Sequence, residues 1–210
     1  MKLIRIATIM AVLVLGMLQV SPAVAGNGPF MMVFLVHDPN RPELPKAAVD
    51  SLQAAHMKNI QRLAKEGKLL IAGPFDGGGG IFVLSTGSKD TANMWLSTDP
   101  AIRSKRWIIQ VYPYLPRIGG VCVVGEQYTM ATYGFVRFTY NGGDIENRLI
   151  RLVDRKKIVA AGVLEGNGMM LVVRGDVDEQ AVQKEPLVLN GTVRASVKKL
   201  WIAKGSFCEE

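Results

Sequence analysis

The stretch Lys65-Glu-Gly-Lys-Leu-Leu-Ile-Ala-Gly-Pro-Phe-Asp-Gly-Gly-Gly-Gly80 decides the fold. A charged helix end stops at Gly67, because glycine closes helices in the left-handed conformation without a Cβ penalty. Leu69 to Ala72 then forms an apolar run of strand length. Gly73-Pro74 punctuates it, and Asp76 stands just before four glycines. Ile81 to Leu84 begins a second apolar run. The order is helix, strand, glycine-rich turn, strand, with one carboxylate at the mouth of the hairpin.

Upstream, Phe30 to Val36 is a continuous strand-type run that ends at His37-Asp38-Pro39, and Pro39, Pro42 and Pro45 make an extended connection. From Lys46 to Glu66 the pattern is helical. Val49, Leu52, His56, Ile60 and Leu63 are spaced 3, 4, 4 and 3, which confines them to one stripe of a helix. His56 therefore faces whatever the helix packs on. Downstream, Ser88 to Leu96 reads as a second helix ended by Asp99-Pro100, and Trp107 to Tyr112 as a fourth strand closed by Pro113. Strand, helix, strand, strand, helix, strand is the ferredoxin-like plan. Residues 117–127, with Gly119-Gly120 and Gly125, read as a linker.

The same unit then recurs. Aligned without gaps at an offset of 89, Gly73 to Ser88 falls on Gly162 to Val177, so Asp76 meets Glu165, Gly77 meets Gly166 and Gly79 meets Gly168. Ile60 and Leu63 fall on Leu149 and Leu152. Tyr133 to Tyr140 supplies the first strand of this copy and Val193 to Ile202 the last. A shared register across helix, turn and strand marks a duplication. His56 maps onto Ile145 and Pro74 onto Val163, so the second copy keeps a packing side chain but loses the imidazole.

The first 25 residues carry a secretory pattern: Lys2 and Arg5, an apolar run over Ile6 to Val20, and Ala23-Val24-Ala25 as a small-x-small cleavage site. The run is short of the roughly 20 residues that span a bilayer. Cleavage takes the net charge from +7 to +5 and places the protein in the periplasm or outside the cell, with no membrane association afterwards. The remaining positive charges are dispersed, the densest run being Arg155-Lys156-Lys157 without interleaved aromatics, so nucleic acid is not an expected partner. Cys122 and Cys208 both lie in the exported part. An oxidising compartment favours a disulfide between them; the alternative is two thiols that never approach.

Two histidines, with no His-x-x-x-His or Cys-x-x-Cys spacing, give no metal site. The run Gly77 to Gly80 lacks the lysine and following helix of a phosphate-cradling loop. No Gly-x-Ser-x-Gly elbow is present. What remains is the imidazole of His56 and the carboxylate of Asp76, the minimal general acid–base device. The plain alternative is a core histidine and a turn-forming aspartate. His37 with Asp38 reads first as a turn pair at a strand end.

The string from His56 to Gly73-Pro74, then Asp76 and the glycines, then Asp99-Pro100, resembles the YCII-related (YciI-like) family over about residues 30 to 116. The resemblance implies a dimeric α/β barrel fold, in which two ferredoxin-like units pack sheet against sheet. It also implies a His56–Asp76 active pair. Apart from the resemblance, His37, Gly73 and Pro74 are weaker candidates for substrate contact. The wider group includes dehydrochlorinases and lactone isomerases, and many members have no known activity. Members often carry an arginine three residues before the histidine, where Gln53 stands here. The second copy lacks His, Gly-Pro and Asp-Pro, with Glu185-Pro186 as a remnant.

The expectation is an α+β chain: a leader over 1–25, ferredoxin-like units over 28–116 and 128–205, and an intramolecular barrel of the dimeric α/β kind. Its function is cofactor-independent lyase or isomerase chemistry on a small molecule. The alternative is a non-catalytic ligand-binding or assembly protein on the same scaffold. Self-association is compatible with both.

Overall fold

The computed structural model describes residues 23–24, 28–125 and 127–208. The leader expectation falls outside them, apart from β1 (Ala23–Val24), which pairs with β6 (Cys122–Val123). Among the described residues no helix is long and apolar enough to cross a membrane.

The first unit runs β2 (Phe30–His37), α1 (Lys46–Lys65), β3 (Leu69–Pro74), β4 (Gly80–Leu84), α2 (Lys89–Leu96), α3 (Pro100–Arg103) and β5 (Trp107–Ile118). Helix α1 ends as its sequence requires. Gly67 takes φ +67°, and the Lys68 N–H donates to the Leu63 carbonyl at 2.9 Å. Ser88 caps α2 by accepting from the Thr91 N–H. Asp99-Pro100 does more than end α2: Asp99 caps α3, with Pro100 pre-set at its first position. Nor does Pro113 close β5. Its carbonyl still accepts the Glu165 N–H at 3.0 Å, so the strand continues to Ile118.

The second unit repeats the plan with β7 (Met130–Thr139), α4 (Glu146–Ile150), β8 (Ile158–Leu164), β9 (Gly168–Arg174), α5 (Glu179–Gln183), α6 (Pro186–Leu189) and β10 (Arg194–Ala203). Its opening helix has shrunk from 20 residues to 5. Ile81 and Met170, 89 apart, face Phe34 and Arg137, which are 103 apart. The second copy has therefore lost 14 residues before its first hairpin, and Ile145, the counterpart of His56, is the N-cap of α4.

All eight strands join one antiparallel sheet in the order β10-β7-β9-β8-β5-β2-β4-β3. The paired units are also hydrogen-bonded edge to edge, so their strands form one continuous sheet. One seam is β5–β8. The other brings β3 to β10, through a Phe75–Leu200 bridge and the Asp76 N–H donating to the Lys199 carbonyl at 2.9 Å. The seams are equivalent, because Glu165, the counterpart of Asp76, donates to Pro113 in the same way. The sheet thus closes into a barrel, as expected of paired ferredoxin-like units. At matching seam positions Gly73 and Gly162 leave room for the close strand approach that a side chain would crowd. A Cβ would lie 2.1 Å from Ile202 Cγ2 at the first and 2.1 Å from the Tyr114 ring at the second.

The barrel interior is one apolar cluster drawn from both units, with Phe34, Phe75, Tyr114, Phe135, Leu164 and Leu200 among its members. At its polar end the Arg137 guanidinium lies 3.9 Å over the Phe34 ring, donating to Gln110 Oε1 and Asn167 Oδ1. Two outer clusters fill the spaces under the helices of each unit. The stretch read as a linker is fastened: Cys122 and Cys208 form a disulfide with Cα atoms 5.1 Å apart, and β5 already covers Arg117 and Ile118.

Candidate functional site

The helical stripe does what its spacing demands. His56, Asn59 and Leu63 are the buried residues of α1, while Gln53 is exposed. The His56 ring stacks on Phe82 of β4 at 6.1 Å and 23°.

The carboxylate that meets His56 is Asp99, not Asp76. His56 Nδ1 lies 2.8 Å from Asp99 Oδ2, and the side chains are 11% and 1% exposed. The correction has a topological cause. Asp99 sits at the start of α3, which packs on α1, whereas β3 carries Asp76 on to the seam, where β10 takes its backbone.

Asp99 is saturated with donors. Oδ2 also accepts from Asn59 Nδ2 at 3.2 Å, and Oδ1 accepts from the Ala101 and Ile102 N–H groups. Asn59 is fixed in turn, since its Oδ1 accepts from Arg62 and Thr98. Burial works to raise the Asp99 pKa. The His56 hydrogen bond and charge, with the Ala101 and Asn59 donors, outweigh it and hold the carboxyl below its ordinary value. An ionised Asp99 requires the proton on Nδ1, so Nε2 is the ring atom left for proton transfer.

The second unit shows the same bracket with other residues. At the position of Asn59 it has Arg148, and at that of Asp99 it has the buried Glu185. Arg148 Nε donates to Glu185 Oε1 at 2.7 Å. Glu185-Pro186 is thus the counterpart of Asp99-Pro100 in structure as well as in sequence, opening α6 as Asp99 opens α3.

The other expected site residues lie apart from His56. Asp76 is exposed and Pro74 borders the same cleft as Asp76, a space of about 590 Å³ along the β3–β10 seam. Gly73 is buried within the seam and serves close strand approach. His37 is exposed at the end of β2, edge-on to Trp107 at 6.3 Å. Among the described residues no three of His, Cys, Asp and Glu gather into a metal-holding set. Sequence reading missed Asp99 as a partner although Asp99-Pro100 was part of the family resemblance. Asn59 was missed because one amide in a helix carries no signal of its own.

Residues 31–116 match the family model described as "YCII-related domain". A search of curated proteins finds no match. Among solved structures, a crystal structure of a "putative monooxygenase" from Lactobacillus acidophilus NCFM is similar over 83% of this chain and 93% of that chain. The two share 14% identity, with a TM-score of 0.44.

Proposed function

We propose that this protein is a cofactor-independent acid–base catalyst of the lyase or isomerase type, acting on a small molecule through His56 with Asp99 as its orienting carboxylate. The observation that carries the reading is the 2.8 Å bond from His56 Nδ1 to a buried, donor-saturated carboxylate. A carboxylate on one ring nitrogen fixes the tautomer and stabilises the imidazolium that forms when the other takes a proton. Asp99 is a positioning residue, and His56 the catalytic one. The test is a metabolite-library screen for turnover with wild type, His56→Gln and Asp99→Asn. Turnover that survives His56→Gln unchanged sinks the proposal. A shifted pH profile in Asp99→Asn supports the positioning role.

A second reading is favoured by one observation. Arg148–Glu185 joins the helices of the second unit at the same positions without an imidazole. On that reading His56–Asp99 is a tie, and the protein binds or assembles without turnover. Nuclear magnetic resonance titration of His56 separates the two. A catalyst perturbs the His56 signals when its ligand is added, and a tie does not.

We also place the protein outside the cytosol, after removal of residues 1–25. The Cys122–Cys208 disulfide supports this, since reducing compartments do not keep such bonds. Cleavage removes β1 and leaves β6 held by the disulfide. Intact mass of the exported fraction tests it, and a full-length chain in the membrane fraction counts against it.

A further inference from the structure

The cleft along the β3–β10 seam is separate from His56 and Asp99, neither of which lines it. Its walls come from both units: Pro74, Phe75 and Asp76 from the first, Thr132, Asp176, Lys199 and Trp201 from the second. Asp76 is held there by its backbone, which donates to the Lys199 carbonyl, and by a turn in which Gly77, Gly78 and Gly79 all take positive φ. Its carboxylate has no hydrogen-bond or ion-pair partner among the described residues. The opposite wall is not equally free, since Lys199 Nζ lies 3.2 Å from Asp176 Oδ1 and the two charges offset each other. The uncompensated charge of the cleft is therefore the negative one on Asp76. Trp201 is 51% exposed, a large apolar ring left open to solvent beside that charge. Lys198 stands 5.1 Å from the Phe75 ring but does not line the cleft.

A carboxylate without a partner beside an open indole ring is a pairing suited to one ligand chemistry. An ammonium group gains a charge-assisted hydrogen bond or ion pair from the carboxylate and cation–π attraction from the indole. We propose that the seam cleft binds a small organic ammonium compound, with Asp76 as its counter-charge and Trp201 as its aromatic wall. Anions are disfavoured by Asp76, and a neutral apolar ligand leaves that carboxylate uncompensated. Because each wall belongs to a different unit, the site exists only in the joined chain. The inference is independent of acid–base chemistry at His56.

The test uses the full chain, with choline and 2-phenylethylammonium as probes and 3,3-dimethylbutan-1-ol as the uncharged counterpart of choline, read by calorimetry and ligand-observed magnetic resonance. At least one ammonium probe is expected to bind saturably. The uncharged alcohol and the Asp76→Asn variant are expected to bind about tenfold more weakly or less, the loss typical of a charged hydrogen bond. Trp201→Leu weakens binding as well, and His56→Gln leaves it unchanged. Asp76 and Trp201 are exposed, so both variants keep the fold, which circular dichroism checks. Equal binding of choline and the alcohol overturns the proposal, as does full affinity in Asp76→Asn. So does binding of both ammonium probes weaker than roughly 10 mM. A concentration-dependent dimer that Trp201→Leu dissolves also overturns it, by assigning the ring to a second copy of the chain.

Discussion

At the scale of single residues, the Asp99 carboxylate gathers four donors, from His56, Asn59, Ala101 and Ile102. Removing its side chain in Asp99→Ala strands His56, Asn59 and the start of α3 together, and breaking a buried pair in this way costs about 3–5 kcal/mol. Urea unfolding at neutral pH measures it. The pH dependence follows from the lowered pKa. The folded carboxyl titrates below the unfolded value of about 3.9, so its contribution is fully present above that value and is lost as pH falls through the folded pKa. Below about pH 4, wild type should lose stability more steeply than Asp99→Asn. Equal slopes would show that Asp99 does not carry the effect. His56→Ile copies the residue of the second unit without copying its partner, and leaves Asp99 short of one donor. The expected cost is about 1–3 kcal/mol, whereas His56→Gln, which retains a donor, should cost less. The burial of His56 was legible in the spacing of its helix. Its partner was not, because Asp99 lies 43 residues away, beyond two strands and a helix.

At the scale of elements, the closures β5–β8 and β3–β10 depend on two glycines. Gly73→Ala and Gly162→Ala should each destabilise by about 1–3 kcal/mol through overpacking. The Cβ at 73 meets the Trp201 carbonyl at 2.8 Å besides Ile202, and that at 162 meets a buried ring. Thermal melts of both variants measure it, and since neither glycine takes positive φ, the loss reports seam contact and not backbone conformation. Unchanged melting of both variants would sink the seam-contact account. The strands and the hairpin of each unit were readable because apolar runs and glycines are local signals. The role of Gly73 was hidden, since the strand it must approach closely is β10, over a hundred residues later. The long reach of β5 was also hidden, because Pro113 read as a stop. In the barrel the carbonyl of Pro113 faces an N–H from the other unit.

At the scale of the whole molecule, the duplication was legible from the turns and the seam symmetry was not, though it accounts for why those turns repeat. Asp76 and Glu165 each donate a backbone N–H to the last strand of the other unit. The first unit alone would expose the edges of β3 and β5 and half of the barrel interior. Residues 28–116 on their own should therefore dimerise or aggregate, not persist as a monomer of native stability. Sedimentation of that fragment decides. The disulfide links residues 86 apart in sequence and should contribute about 2–4 kcal/mol. A Cys122→Ser, Cys208→Ser double variant, compared by urea unfolding, measures this contribution.

The cation over the ring inside the barrel has a consequence for how such a chain changes over generations. Phe34 and Arg137 occupy matching positions of the two units and meet near the axis that relates them. In an assembly of two identical chains any substitution there arrives twice, so a ring could face only a ring, and a guanidinium only another guanidinium. Once both copies lie on one reading frame, each codon changes one side alone, and unlike residues can be selected as partners. The same freedom extends to the two helical brackets, one built on imidazole and the other on guanidinium. One unit can be kept for chemistry while its twin is left to hold the shape.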